Sequence, residues 1–178
     1  MKSIKKIFAI SGSTRSNSSN LKILKQIAEL SKDLFELKIF ESLAEIPHFN
    51  PDLDTENPPQ QVTNFRNEIQ KADGIIICTP EYVFSIPGSL KNALEWCVST
   101  TIFSKKKVGL ITASASGEKG HEELQLIMKT IEANFNEDTS LLIQGVRGKV
   151  SSEGAIEDRL TLEQIQKFIA AFDNLLRE

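Results

Sequence analysis

Cysteine is nearly absent: Cys78 and Cys97 are the two in 178 residues. They form no CxxC pair, which argues against a zinc site and a thioredoxin-type dithiol. Both lie in apolar segments, as buried structural thiols do. Histidine is as scarce. His48 and His121 each stand alone, with no second His, Asp or Cys at ligand spacing. No metal site is expected, and both read as surface residues. Long apolar runs are also missing. None approaches the ~20 residues that cross a bilayer. The basic stretch Met1 to Lys6 is followed by too short an apolar core, Ile7 to Ile10, for a signal peptide. A cytoplasmic protein without membrane contact is expected. An excess of positive charge is lacking too: Lys plus Arg is 21, Asp plus Glu 24, and the net charge −3. A nucleic-acid partner, which calls for a basic face, is therefore not expected. The one cationic run, Lys105 to Lys107, reads as a solvated strand entry.

Two nucleotide-binding signatures are missing. There is no Gly-Lys-[Ser/Thr], so no Walker A loop, and Gly12 is the single glycine of the first loop, so no GxGxxG. What is present is alternation. Short apolar runs at 4–10, 34–40, 74–79, 108–113 and 139–143 read as strands. Helical spacing marks 19–31, 60–71, 87–98, 120–134 and 161–176. The run at 74–79 is continuously apolar, as in a strand buried on both faces. The length fits one domain, 1–178. Five strands alternating with five helices predict an α/β fold, a doubly wound five-stranded parallel sheet with helices on both faces. One connection, 41–59, is long and holds four prolines. Loops of that length are more often functional than idle.

Ligands in such sheets sit beyond the carboxyl ends of the strands. After the first strand comes Ser11-Gly12-Ser13-Thr14-Arg15-Ser16-Asn17-Ser18-Ser19-Asn20. Hydroxyls, amides and one guanidinium ahead of a helix N-terminus suit a phosphate monoester. A plainer role, capping of the helix by Asn17 or Ser18, stays open. After the third strand, Pro80 and Pro87 fix the segment Pro80-Glu81-Tyr82-Val83-Phe84-Ser85-Ile86-Pro87. A rigid turn of this kind presents backbone N–H groups to a planar ligand such as an isoalloxazine edge, with Tyr82 and Phe84 as apolar walls. After the fourth strand, Ser114-Ala115-Ser116-Gly117 lets backbone approach a ligand closely.

Together these loops resemble the NADPH-dependent FMN reductase family of flavodoxin-like proteins, which includes azoreductases, quinone reductases and chromate reductases. Gly12-Ser13-x-Arg15-x-x-Ser18-x-Asn20 resembles its phosphate loop. Thr79-Pro80-Glu81-Tyr82, Ser85-Ile86-Pro87-Gly88 and Leu90 to Trp96 resemble its second motif, and Pro47-x-Phe49-Asn50-x-Asp52-Leu53 also fits. The resemblance implies that Ser13, Arg15, Ser18, Ser19 and Asn20 bind the FMN phosphate. Pro80, Glu81, Tyr82 and Val83 would line the ring, largely through backbone. Ser114, Ala115, Ser116 and Gly117 would close its pyrimidine side. It further implies NAD(P)H as co-substrate, a small-molecule oxidant, ping-pong hydride transfer, and a homodimer or homotetramer. No side chain is assigned a catalytic role. Two alternatives remain: a reductase releasing reduced flavin to a monooxygenase, and a flavodoxin-type electron carrier without turnover of its own. The chain departs from the family at Val83, where Asn is frequent, and at Glu118-Lys119, where glycines are.

Overall fold

A computed structural model describes residues 4–178, so Met1 to Ser3 of the basic N-terminal stretch lie outside the described residues. The strands are β1 (Lys5–Ser11), β2 (Phe35–Phe40), β3 (Gly74–Thr79), β4 (Lys107–Ala113) and β5 (Ser140–Ile143). The helices are α1 (Ser19–Leu30), α2 (Gln60–Lys71), α3 (Gly88–Glu95), α4 (Glu118–Thr130) and α5 (Arg159–Arg177). All strand pairs are parallel, in the order β2-β1-β3-β4-β5. This is the parallel sheet expected from the alternation, in the flavodoxin-like arrangement that the family resemblance implied.

The two-residue period of a strand sorts its side chains onto opposite faces. Phe8, Ile10, Ile75, Ile77, Val108 and Leu110 point to the layer that holds Val62, Phe65 and Ile69 of α2, Leu90 of α3, and Leu124 and Met128 of α4. Ile7, Ala9, Ile76, Cys78, Ile111 and Ala113 point the other way, to Ile23, Leu24 and Ile27 of α1 and Phe168 and Phe172 of α5. Every residue of β3 is buried. Each isoleucine so enclosed contributes about 1.5–3 kcal/mol of transfer free energy.

Two helices end differently from the sequence expectation. α3 stops at Glu95 instead of continuing to 98, and the Trp96 carbonyl is taken by the Arg66 side chain. α4 begins two residues early, at Glu118, and closes at Thr130, after which Glu132 turns at φ 61°. The long connection is also not what its length suggested. Asn92 donates to Pro47 O at 3.0 Å and accepts from Phe49 N at 2.7 Å, while the Trp96 indole donates to Pro47 O at 2.8 Å. Asp54 pairs with Arg66 at 2.7 Å, with side chains only 7% and 14% exposed. The connection is thus a strap packed on α2 and α3, and none of it lines the cleft described next.

Candidate cofactor site

The chain runs outward from β1 to β2 and then returns past β1 to β3. The carboxyl ends of β1 and β3 therefore diverge into loops of opposite direction, the place where open α/β sheets form a crevice. Gly12 lies directly on the end of β3, its N–H donating to Cys78 O at 2.8 Å. A Cβ there would stand 2.3 Å from Thr79 Oγ1 and 3.0 Å from Thr79 Cα, so only glycine allows this approach. The chain then folds back through Ser13, whose Oγ accepts from Arg15 N at 3.3 Å, and enters α1.

Ser18 caps α1: its Oγ accepts from Leu21 N at 3.1 Å, as the plainer reading of that residue expected. The hydroxyl proton remains to donate elsewhere. Asn20 is buried and braces the site. Its Nδ2 donates to Ala113 O at 3.2 Å and its Oδ1 accepts from Cys78 Sγ at 3.3 Å, tying the first turn of α1 to the ends of β3 and β4. Arg15 is exposed, and its guanidinium has no ion-pair partner among the described residues.

A cleft of about 340 Å³ opens here. From the first loop it gathers Ser13, Arg15, Ser18, Ser19 and Asn20; from the second, Pro80, Glu81 and Tyr82; from the third, Ser114 and Ala115. Val83, Ser116 and Gly117 are not among its walls. Val83 and Phe84 form the tip of a tight turn closed by Tyr82 N to Ser85 O at 2.9 Å and Ser85 N to Tyr82 O at 3.1 Å. Both have positive φ, 55° and 59°, and both project outward, 93% and 76% exposed. Gly117 is held from below by Glu81, whose carboxylate accepts from Gly117 N at 3.3 Å and Gly120 N at 2.8 Å. α4 has no side-chain cap of its own, so Glu81 satisfies its first N–H groups and locks the second loop to the third.

Three wall residues had no role in the sequence reading: Ala113, at the end of β4, and Val146 and Arg147, from the short turn after β5. A groove of about 490 Å³ lies at the opposite end of the strands, around Lys5, Asp33 and Asp173. Lys5 is paired there with Asp73, and Asp173 with Arg177, so the groove offers no convergent free cation.

His121 is not the surface residue expected. It is half-buried on α4, with Nδ1 2.9 Å from Thr112 Oγ1 and Nε2 3.1 Å from Ser140 Oγ and from Gln125 Nε2. Burial holds its pKa below the usual histidine range. Cys78 and Cys97 are buried thiols, and burial pushes the Cys97 pKa up to about 12 and that of Cys78 higher still. Neither is a nucleophile at neutral pH. Among the described residues no group of three or more His, Cys, Asp or Glu is placed to hold a metal ion, and no helix is long and apolar enough to cross a membrane.

Comparison with known proteins agrees with this geometry. Residues 5–141 match the family described as NADPH-dependent FMN reductase. NADH-dependent flavin reductase subunit 2 of Lactobacillus johnsonii is 30% identical over 182 residues, covering 97% of this chain and 96% of that protein. A quinone reductase of Pseudomonas putida is 37% identical over 95 residues, and there the match spans about half of each protein, 53% and 50%. The fold of the flavoenzyme NAD(P)H:(acceptor) oxidoreductase FerB of Paracoccus denitrificans superimposes with a TM-score of 0.83 at 24% identity, over 98% of both chains. The chain therefore belongs to the NADPH-dependent FMN reductase family and is an oxidoreductase of the flavodoxin-like fold.

Proposed function

We propose that this chain acts as a single FMN-binding domain that takes electrons from NAD(P)H and reduces a small oxidant of the quinone, azo, chromate or free-flavin class. The observation that carries the reading is the cleft itself. An unpaired guanidinium, the Ser13, Ser18 and Ser19 hydroxyls and the N-terminus of α1 meet at one end. That donor set suits a phosphate monoester. Pro80, Glu81 and Tyr82 and the small residues Ser114 and Ala115 line much of the rest, leaving a slot for a flat ring.

The redox chemistry, hydride uptake from NAD(P)H followed by release of two electrons to the oxidant in a ping-pong cycle, is what bound FMN supplies. The chain's own residues orient and solvate. Arg15 and the α1 N-terminus anchor the phosphate. The N–H groups of Val83 and Phe84, which have no partner within the turn, are donors free for the ring edge. Glu81 keeps the two ring loops at fixed separation.

The relatives named quinone reductase and flavin reductase favour those two oxidants. The apolar tip at Val83 and Phe84, beside the cleft, favours a homodimer or homotetramer that covers it. Two buried, unbridged cysteines suit a reducing cytoplasm. The test is oxidation of NADH and NADPH by the pure protein, first with a quinone and then with free FMN. Turnover with quinone by an FMN-loaded protein is expected. A protein that binds no FMN, or whose bound flavin NAD(P)H does not reduce, is not this enzyme.

A further inference from the structure

Five arginines occur in the chain, Arg15, Arg66, Arg147, Arg159 and Arg177. Three are paired with carboxylates: Arg66 with Asp54 at 2.7 Å, Arg159 with Glu163 at 2.9 Å and Arg177 with Asp173 at 2.6 Å. The two without an ion pair among the described residues, Arg15 and Arg147, line the same cleft. They reach it from opposite ends of the sequence, one after β1 and one after β5.

The position of Arg147 is built, not incidental. Gly145, at φ 62°, turns the chain at the end of β5. Its N–H donates to Ala115 O at 3.0 Å and the next, of Val146, to Ser114 O at 3.2 Å, so the turn is clipped to the loop after β4. Val146 is buried in the layer that contains Ile23, Leu24 and Ile27 of α1. The chain beyond is held to α1 as well, by Lys22 Nζ donating to Ser151 O at 3.2 Å and Ser152 O at 3.0 Å. The short turn Val146–Gly148 therefore stands on the α1 side of the cleft, the end where Ser18, Ser19 and Arg15 lie.

We propose that Arg147 is the second cation of the phosphate site and faces, with Arg15, the phosphate monoester of FMN. The inference rests on the FMN reading above and adds a residue and a selectivity to it. Charge argues for it. A phosphate monoester carries about −1.5 to −2 at neutral pH. The α1 N-terminus supplies about half a positive charge and Arg15 one more. Those two fall short of the fully ionised phosphate, and a second guanidinium carries the site past it, so FMN is favoured over riboflavin by two arginines rather than one. No carboxylate is ion-paired to Arg147 among the described residues, so its guanidinium is available to the ligand.

The experiment is a fluorescence-quenching titration of Arg147→Ala, Arg147→Lys and the wild type with FMN and with riboflavin, at low and high salt. Arg159→Ala, which removes the same charge on the exposed start of α5, is the control. Arg147→Ala is expected to weaken FMN about ten- to a hundredfold and to leave riboflavin unchanged. Lysine should restore part of the loss, because it keeps the charge without the planar fork. Arg159→Ala should stay within about twofold of the wild type, with surface charge largely screened.

An unchanged FMN affinity in Arg147→Ala, with the wild type still preferring FMN, overturns this inference and leaves the FMN site standing. The same result with a raised KM for NAD(P)H assigns Arg147 to the dinucleotide and likewise overturns it. Equal weakening of both flavins makes Arg147 a support of the loop. A wild type that binds the two flavins equally removes the phosphate site altogether, and Arg147 with it.

Discussion

The carboxylate of Glu81, on the loop after β3, accepts the N–H of Gly120, in the first turn of α4, at 2.8 Å across 39 residues of sequence. The other oxygen accepts from Gly117 N, so one side chain caps a helix and joins two walls of the cleft. Glu81→Ala is expected to lower stability by about 1–2 kcal/mol, the usual loss for a cap. Glu81→Gln retains one acceptor and should lose about half of that. Urea denaturation followed by the single tryptophan, Trp96, measures both. A loss below a few tenths of a kcal/mol for Ala would show that water replaces the carboxylate without penalty.

Arg15 lines the cleft, and the proposed FMN site puts its guanidinium on the phosphate. Arg15→Ala should weaken FMN by roughly 1.5–3 kcal/mol, or ten- to a hundredfold, with riboflavin little affected. Parallel titrations read the two ligands directly. Equal weakening of both would make Arg15 a support of the loop and not a phosphate ligand.

The turn at Val83 and Phe84 carries two side chains at φ values that Asn and Gly adopt more readily. Val83→Asn should therefore stabilise the protein by about 0.5–1 kcal/mol and keep FMN affinity within a fewfold, since the side chain points away from the cleft. Val83→Pro removes the free N–H and demands φ near −65° in place of 55°, so it should break the turn and weaken FMN clearly. Val83→Ala trims the side chain and keeps the donor. Were Ala to weaken FMN as much as Pro, the backbone account of this wall would be wrong.

The half-buried pair Asp54–Arg66 contributes to an acid limit. Burial alone would raise the Asp54 pKa, but hydrogen bonds from Ser99 and Arg66 and the guanidinium charge outweigh it, and the net shift is downward. A carboxyl depressed in the folded state contributes stability above its unfolded pKa of about 4, and loses it as pH falls through the lower folded value. Asp54→Asn should cost about 1–3 kcal/mol at pH 7, because the half-buried Arg66 loses its charged hydrogen-bond partner. Its stability should also fall less than that of the wild type below about pH 4. Denaturation midpoints from pH 7 to pH 3 show both effects. A mutant whose midpoint falls in parallel with the wild type would place the acid sensitivity elsewhere.

Sequence alone determined the elements whose signal is local. α2 and β3 occupy Gln60–Lys71 and Gly74–Thr79, as their periodicity predicted, because an apolar stripe or run needs only neighbouring residues to declare it. The strand-helix alternation implied the doubly wound sheet, and the sheet put three polar loops at one end. Five residues of the first loop then met three of the second and two of the third in one cleft.

What depended on residues far apart was not legible. α4 starts at Glu118 because Glu81 caps it from another loop, and α3 ends at Glu95 where Arg66 takes the next carbonyl. His121, on α4, looked solitary, yet Thr112 of β4 and Ser140 of β5 lie against its ring. The long strap looked like a functional loop because length and prolines say nothing of Asn92, Trp96 and Arg66, which bind it. Arg147 carried no signal at all, being one arginine in the short segment Gly145-Val146-Arg147-Gly148. Only the pairing of β5 with β4, and the clip from Gly145 and Val146 to Ala115 and Ser114, bring it to the cleft. Periodicity is a property of a segment, whereas a charge acquires its partner only through the packing that sets two segments side by side.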